Sequence, residues 1–213
     1  MEIALIGATG FVGSSILAEL LHRGHRVTAL LRDPSRLTPH EHLRVVVADV
    51  QNESEVAAAV GNHDAVVSAF NAGCDNPKIY GEYMSGMRAI IDGVKAAGVA
   101  RLLTIGGAGS LYVAPGIQGL DRPEFTGKYR PGAMAARDAY VLLSRESSLE
   151  WTVLSPPPGL EPGERTGIFR LGGDDVLLGA DGTSRITTSD LAVAVVNELE
   201  TPAHVRRRFT VAY

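Results

Sequence analysis

Gly7, Gly10 and Gly13 stand three residues apart, between an apolar run at residues 2–6 and an amphipathic stretch at 14–23. That spacing does its chemistry with the backbone. The first glycine permits a tight turn, the second lets the main chain approach a diphosphate, and the third lets a following helix press onto the preceding strand. A helix beginning there offers free N–H groups and the positive end of its dipole to phosphate oxygens. We read G-x-x-G-x-x-G in this setting as a dinucleotide-binding turn rather than as ordinary punctuation.

A second feature bears on which nucleotide is held. A site for NAD commonly carries an acidic residue about 20 positions beyond the glycines, where it bonds the ribose 2′-hydroxyl. Here Arg32 lies nineteen residues beyond Gly13, no acid precedes it in the run at 25–31, and Pro34 turns the chain directly after Asp33. A guanidinium suits a 2′-phosphate through bidentate, charge-assisted hydrogen bonds of about 1.5–3 kcal/mol, roughly tenfold to a hundredfold in affinity. Arg36 can join the same patch; the alternative is a solvated arginine at a strand end. NADP(H) is therefore expected over NAD(H). Asp49 and Val50 follow the apolar run at 43–47. Asp49 suits an adenine amino group and Val50 a ring face, but Asp49 equally suits the cap of a helix starting near Glu53.

The tyrosines exclude one mechanism. A Tyr-x-x-x-Lys pair on a helix lets a lysine lower the phenol pKa for proton transfer. The residues four beyond Tyr80, Tyr83, Tyr112, Tyr129 and Tyr140 are Met84, Met87, Gly116, Ala133 and Ser144, and nothing follows Tyr213. Tyr140 occupies the helix where the pair belongs, yet without the lysine its pKa is expected near the ordinary 10. It reads as a core or groove-lining aromatic. Ser110, in GGAGSL, is placed to bond a substrate or a nicotinamide amide, or simply to close a glycine-rich turn. The histidines show no metal spacing, Cys74 sits in a loop as a bystander, and neither a G-x-x-x-x-G-K-[ST] loop nor a G-x-S-x-G elbow occurs. No metal is expected.

The elements that must position these residues alternate. Strand-like runs at 2–6, 25–31, 43–47, 64–70, 101–107 and 151–155 are interleaved with helical patterns at 14–23, 78–97 and 133–147. This is the pattern of an α/β, Rossmann-type doubly wound parallel sheet with helices on both faces. The connection 106–132, with seven glycines and three prolines, leaves the carboxyl end of a central strand, where ligands bind in open sheets. After Pro156-Pro157-Pro158 a ribbon-like stretch runs through 167–187. A last helix follows at 189–200, with Thr187 or Thr188 as N-cap, and then a strand at 209–213. Residues 151–213 are too few for a core of their own and are read as a small substrate-side cap, so 1–213 forms one NAD(P)-binding domain. Arg206-Arg207-Arg208 is expected on the solvent edge of the terminal strand.

Composition narrows the partners. The net charge of −4 is dispersed, which argues against nucleic acid. No apolar run reaches membrane-spanning length and no basic-then-apolar leader precedes the first strand, so no membrane partner and a cytoplasmic location are expected. One cysteine permits no internal disulfide. Oligomeric state is left open.

GATGFVG, Arg32-Asp33-Pro34, GGAGSL after the fifth strand and SPPPGLEPGERTG after the sixth together resemble the atypical short-chain dehydrogenases/reductases. Within these the chain is similar along its whole length to the NAD(P)H-binding proteins called NADH-flavin reductases, related to biliverdin reductase B and more distantly to NmrA-like regulators. The resemblance implies that Gly7, Thr9, Gly10, Phe11 and Val12 hold phosphates, Arg32 the adenosine ribose end, and Asp49 and Val50 the adenine. Ala69 and Phe70 would lie along the ribose, Gly106, Gly107 and Pro156 near the nicotinamide, and Ser110 would face the substrate. Such relatives also lack the Tyr–Lys pair. A flavin, or a similar conjugated small-molecule acceptor, needs a hydride delivered face-on while water supplies the proton, so proximity carries the rate. The alternative is a non-catalytic, NmrA-like sensor of NADP(H).

Overall fold

The computed structural model describes residues 1–213. Twelve strands occur in chain order: β1 (Glu2–Ile6), β2 (Arg26–Leu31), β3 (Leu43–Val47), β4 (Ala65–Ser68), β5 (Arg101–Ile105), β6 (Tyr112–Ala114), β7 (Ile117–Gln118), β8 (Glu150–Ser155), β9 (Gly159–Glu161), β10 (Arg170–Gly172), β11 (Arg185–Thr187) and β12 (Arg207–Ala212). The helices are α1 (Gly13–His22), α2 (Glu53–Val60), α3 (Ile79–Ala96), α4 (Arg130–Ser144) and α5 (Thr188–Glu200). Eight strands form the main sheet in the order β10-β12-β8-β5-β4-β1-β2-β3. Every pairing in it is parallel except β10 with β12.

Alternation along the strands explains their unbroken apolar runs. Ile3 and Leu5 of β1 face one core with Ile16 and Leu20 of α1 and Leu191, Val195 and Leu199 of α5. Ala4 and Ile6 face a second core with Val56 and Val60 of α2, Met84, Met87, Ile90 and Val94 of α3, and Ala135 and Ala139 of α4. Strands covered on both sides have no polar face to present. The chain runs outward from β1 in both directions, so the order reverses between β1 and β4. A crevice opens there at the carboxyl ends of the strands.

Expected boundaries shift by a few residues. Helix α4 starts at Arg130, earlier than its apolar pattern suggests, because Pro131 is accommodated in the first turn, where its missing N–H costs nothing. The connection after β5 is partly organised, with the β6–β7 hairpin and short turns at Ala108–Ser110 and Gly119–Asp121. Thr187, not Thr188, caps α5, accepting from the Asp190 N–H. In the C-terminal third, β8, β12 and β10 extend the sheet and α5 covers its face, while the segment between β8 and α5 brings Pro158 and Val176 to the end of β5.

The arginine run is only partly as expected. Strand β12 pairs with β8 on one side, while on the other β10 covers only Thr210, Val211 and Ala212, so Arg206 lies exposed at the open end. Arg207 is exposed, but Arg208 is buried, since alternation turns it toward α4 and Phe209 toward the α1–α5 core.

A buried carboxylate fastens the C-terminal segment. Asp190 has no solvent exposure. It accepts the Thr166 and Gly167 N–H groups at 2.8 and 2.7 Å, the Thr166 hydroxyl at 2.6 Å and the Tyr213 hydroxyl at 2.7 Å. Burial alone would raise its pKa, but these donors together outweigh it and hold the carboxyl below the ordinary aspartate range. A depressed folded-state pKa contributes stability that is present above the unfolded value, about 3.9, and is lost as pH falls through the lower folded value. Asp190→Asn is therefore expected to melt at lower temperature at neutral pH and to lose less on acidification than the wild type. Thermal melts across the acid range check this, and parallel acid limbs for the two proteins would count against it.

Candidate active site

The glycine turn is built by close approach. Gly7, ending β1, has φ +82°, and a Cβ there would stand 2.5 Å from the Ala69 carbonyl oxygen, where the chain leaves β4. A Cβ at Gly13 would run into the Gly7 carbonyl oxygen, so only glycine lets α1 start directly over the turn. Gly10 is tight only against the Gly7 carbonyl, at 3.2 Å, and otherwise open. The N–H groups of Phe11, Val12 and Gly13 meet no backbone or side-chain acceptor, and no side chain caps α1. Free donors, an uncapped helix start and a cradle that a methyl group would fill suit a diphosphate.

A cleft of about 860 Å³ extends from this turn over the ends of β2, β3 and β4. Gly7, Thr9, Gly10, Arg32, Asp49, Val50, Ala69 and Phe70 line it, as does Arg36. Arg32 and Arg36 are exposed and neither guanidinium has a hydrogen-bond or ion-pair partner. The Asp33 carboxylate, by contrast, accepts the Ser35 N–H at 3.0 Å and hydroxyl at 2.7 Å, capping a short turn. Those bonds, led by the hydroxyl, hold its pKa below the usual range. Helix α2 is capped by Asn52, which accepts from Ser54 and Glu55, so the capping alternative for Asp49 is corrected. The Asp49 carboxylate accepts only the Gln51 N–H, at 3.0 Å. Sequence reasoning missed Asn76 and Glu82 in the wall, joined by an Asn76 Nδ2 to Glu82 Oε2 hydrogen bond of 2.7 Å. No local pattern marks them; α3 brings them there by packing over the end of β4. Phe11 and Val12 lie outside the cleft lining, and Phe11 is exposed.

A second cavity of about 640 Å³ lies beyond the end of β5. Gly107, Ala108 and Gly109 form one side, and Val113, Phe125, Tyr129, Pro158 and Val176 contribute apolar surface. Gly106 and Pro156 sit in the crease between β5 and β8, lining neither cavity; a Cβ at Gly106 would meet Val153 at 2.8 Å and the Ser155 hydroxyl at 3.0 Å. Ser110 also lines neither cavity and is 2% exposed. Its hydroxyl donates to the Gly107 carbonyl at 3.1 Å and accepts from Arg208 Nη1 at 3.0 Å. In this arrangement it is turned away from any acceptor.

Three tyrosines are held away from proton transfer near neutrality. Burial pushes the Tyr83 phenol up to about 12, beneath the stacked Phe70 ring at 5.7 Å. Tyr80 is raised by its hydrogen bond to Asp138. Tyr140 is raised mainly by burial, with Asp174 and Tyr112 adding to it and the Arg208 guanidinium, 4.5 Å from the ring centroid, opposing it. The sequence reading placed Tyr140 near the ordinary value; desolvation moves it further from neutrality. No group of three or more His, Cys, Asp and Glu side chains could hold a metal ion, and no helix is long and apolar enough to cross a membrane.

Comparison with known proteins agrees with this geometry. A family model described as NAD(P)H-binding matches residues 7–202. The uncharacterized protein YwnB of Bacillus subtilis is 39% identical over 99% of this chain and 98% of its own length. A structure from Bacteroides thetaiotaomicron, provisionally named an epimerase, is 45% identical with a TM-score of 0.93, covering 100% of this chain and 96% of the other. One from Streptococcus pneumoniae, provisionally named an NADH-flavin reductase, is 30% identical with a TM-score of 0.86, covering 100% and 99%.

The turn gives a direct test. Gly7→Ala and Gly13→Ala are each expected to lower thermal stability by about 1–3 kcal/mol and to weaken nucleotide binding together with it. Melting and NADPH titration check this, and wild-type behaviour in both would show that the turn tolerates a side chain.

Proposed function

Because this chain belongs to the NAD(P)H-binding family, we propose that it is an NADPH-dependent reductase that passes a hydride to a flavin or a similar flat, conjugated acceptor. The observation that carries the reading is the apolar cavity beside Gly107, at the end of the strand next to the one whose end lines the nucleotide cleft. A bound reduced nicotinamide would supply the hydride. The chain's own part is binding, orientation and exclusion of water. Free N–H groups at the start of α1 receive the diphosphate, Asp49 and Val50 meet the adenine, and Ala69 and Phe70 border the ribose. Gly107, Ala108 and Gly109 present backbone with almost no side chain, so a flat ring can lie close to them. Val113, Phe125, Tyr129 and Val176 cover it. With no lysine one turn after any tyrosine, a reaction that draws its proton from water suits the site better than one needing an enzymatic acid.

Preference for the 2′-phosphate rests on Arg32 and Arg36, two unpartnered guanidinium groups on the cleft wall, and on the engagement of Asp33 with Ser35. An acid already used as a cap is poorly placed to hold a ribose hydroxyl.

Two measurements test the reading. NADPH oxidation, followed by nicotinamide absorbance, is expected on addition of FMN, FAD or a quinone. Tight, redox-selective nucleotide binding with no oxidation by any of them would favour a sensor instead. Arg32→Ala is expected to reduce the preference for NADPH over NADH by roughly tenfold to a hundredfold. Unchanged selectivity would remove Arg32 from the site.

A further inference from the structure

The terminal strand delivers one charge into the interior. The Arg208 side chain is 1% exposed. Its Nε donates to Asp174 Oδ1 at 2.7 Å and Nη2 lies 2.6 Å from the same oxygen. Nη1 donates to both the carbonyl and the hydroxyl of Ser110, at 2.9 and 3.0 Å. Its plane lies over the Tyr140 ring. A buried guanidinium is tolerated only when its donors are satisfied and its charge is answered. Here the donors end on two segments far apart in the chain.

Those segments also meet each other. The Tyr112 N–H donates to the Asp174 carbonyl, and the Val176 N–H donates to the Tyr112 carbonyl, each at 2.9 Å. Leu111 N–H closes back on Ala108 at 3.0 Å, and Ser110 on Gly107. Thus Gly107, Ala108, Gly109, Val113 and Val176, all in the lining of the apolar cavity, belong to two paired segments tied to the same guanidinium.

We infer that Arg208 is a positioning residue of the acceptor cavity, clamping the 107–113 and 174–176 segments together so that they form one fixed wall against which a flat acceptor can lie, with Asp174 as its counter-charge. Ser110 then serves as the joint between Arg208 and the Gly107 carbonyl rather than as a group facing the substrate. This inference rests on the reductase reading. The Asp174 carboxylate, 54% exposed, is the accessible end of the cluster and can be altered with little disturbance of the core. Lysine at 208 would keep the charge but lose the fork that reaches both segments.

The test compares wild type, Arg208→Lys and Asp174→Asn by amide hydrogen exchange, acceptor KM and kcat, and the NADPH dissociation constant. Exchange at Leu111, Tyr112 and Val176 is expected to quicken by about tenfold or more in both variants, with β4 and β5 amides unaltered. Acceptor KM is expected to rise about tenfold while the NADPH dissociation constant stays within about twofold. A purely structural role would lower the melting temperature and leave this split absent. If Arg208→Lys does not fold, Asp174→Asn carries the comparison. Unchanged exchange in Asp174→Asn overturns the inference, as does faster exchange with unaltered acceptor KM. If the wild type reduces no acceptor, the reductase reading itself fails. FMN binding, read by quenching of its fluorescence, then replaces KM. Weaker binding in the variants supports the inference, and FMN bound equally by all three proteins, or by none, overturns it.

Discussion

The fold turns on one close approach: the start of α1 rests on the carbonyl of Gly7, with no room for a Cβ at Gly13. That contact fixes where the helix begins, and so where its unpaired N–H groups point. It also fixes how near the chain after β4 can pass, because Gly7 in turn leaves no room for a Cβ beside the Ala69 carbonyl. Three backbone segments converge within van der Waals distance. At the turn itself the cleft is bordered by the backbone of Gly7 and Gly10. Backbone donors held by packing require no rearrangement to receive charge, which makes such a turn a ready anion site.

From that point the site is organised by depth. Next to the turn, the ends of β2 and β3 are wet and carry free cations. Further along the sheet, past β5, the second cavity offers more apolar surface, though it stays open, with Tyr129 and Val113 exposed and Arg122 and Glu124 sharing its lining. Charge recognition at one end and shape at the other is the division expected for a site that grips a nucleotide by its phosphates and offers its reactive end to a neutral, conjugated partner. Tyrosines follow the same logic. Burial raises the phenols of Tyr83 and Tyr140, so the interior that excludes water also prevents these rings from acting as acids near neutrality.

The C-terminal segment supplies the remaining restraint. Asp190 and Arg208 are opposite in sign and set on the two faces of the sheet, yet they solve the same problem. Each is a buried charge surrounded by partners from distant parts of the chain, and each ties irregular backbone to the regular sheet. Loops that carry a site are usually the least stable part of a fold. Here the two long connections, 106–129 and 156–187, are fastened by these two groups.

Much of this was legible in the amino-acid order. The glycine spacing, the continuous apolar strands and the stripe of Met84, Met87, Ile90, Ile91 and Val94 specify a doubly wound sheet, because each rests on local periodicity and backbone sterics. The absence of a lysine one turn after any tyrosine is likewise a property of the chain alone. What local pattern cannot carry is which face of a terminal strand looks inward, and against what. Arg208 sits in a run of three arginines that reads as solvent edge, and only the packing of α4 and of the segments carrying Ser110 and Asp174 over that face of β12 buries its side chain. Ser110 reads as substrate-facing until that guanidinium captures its hydroxyl, and Asn76 and Glu82 join the cleft only because α3 crosses the end of β4. Short-range sterics are written in neighbouring residues; partnerships between residues about a hundred positions apart are settled only when the strands take their order.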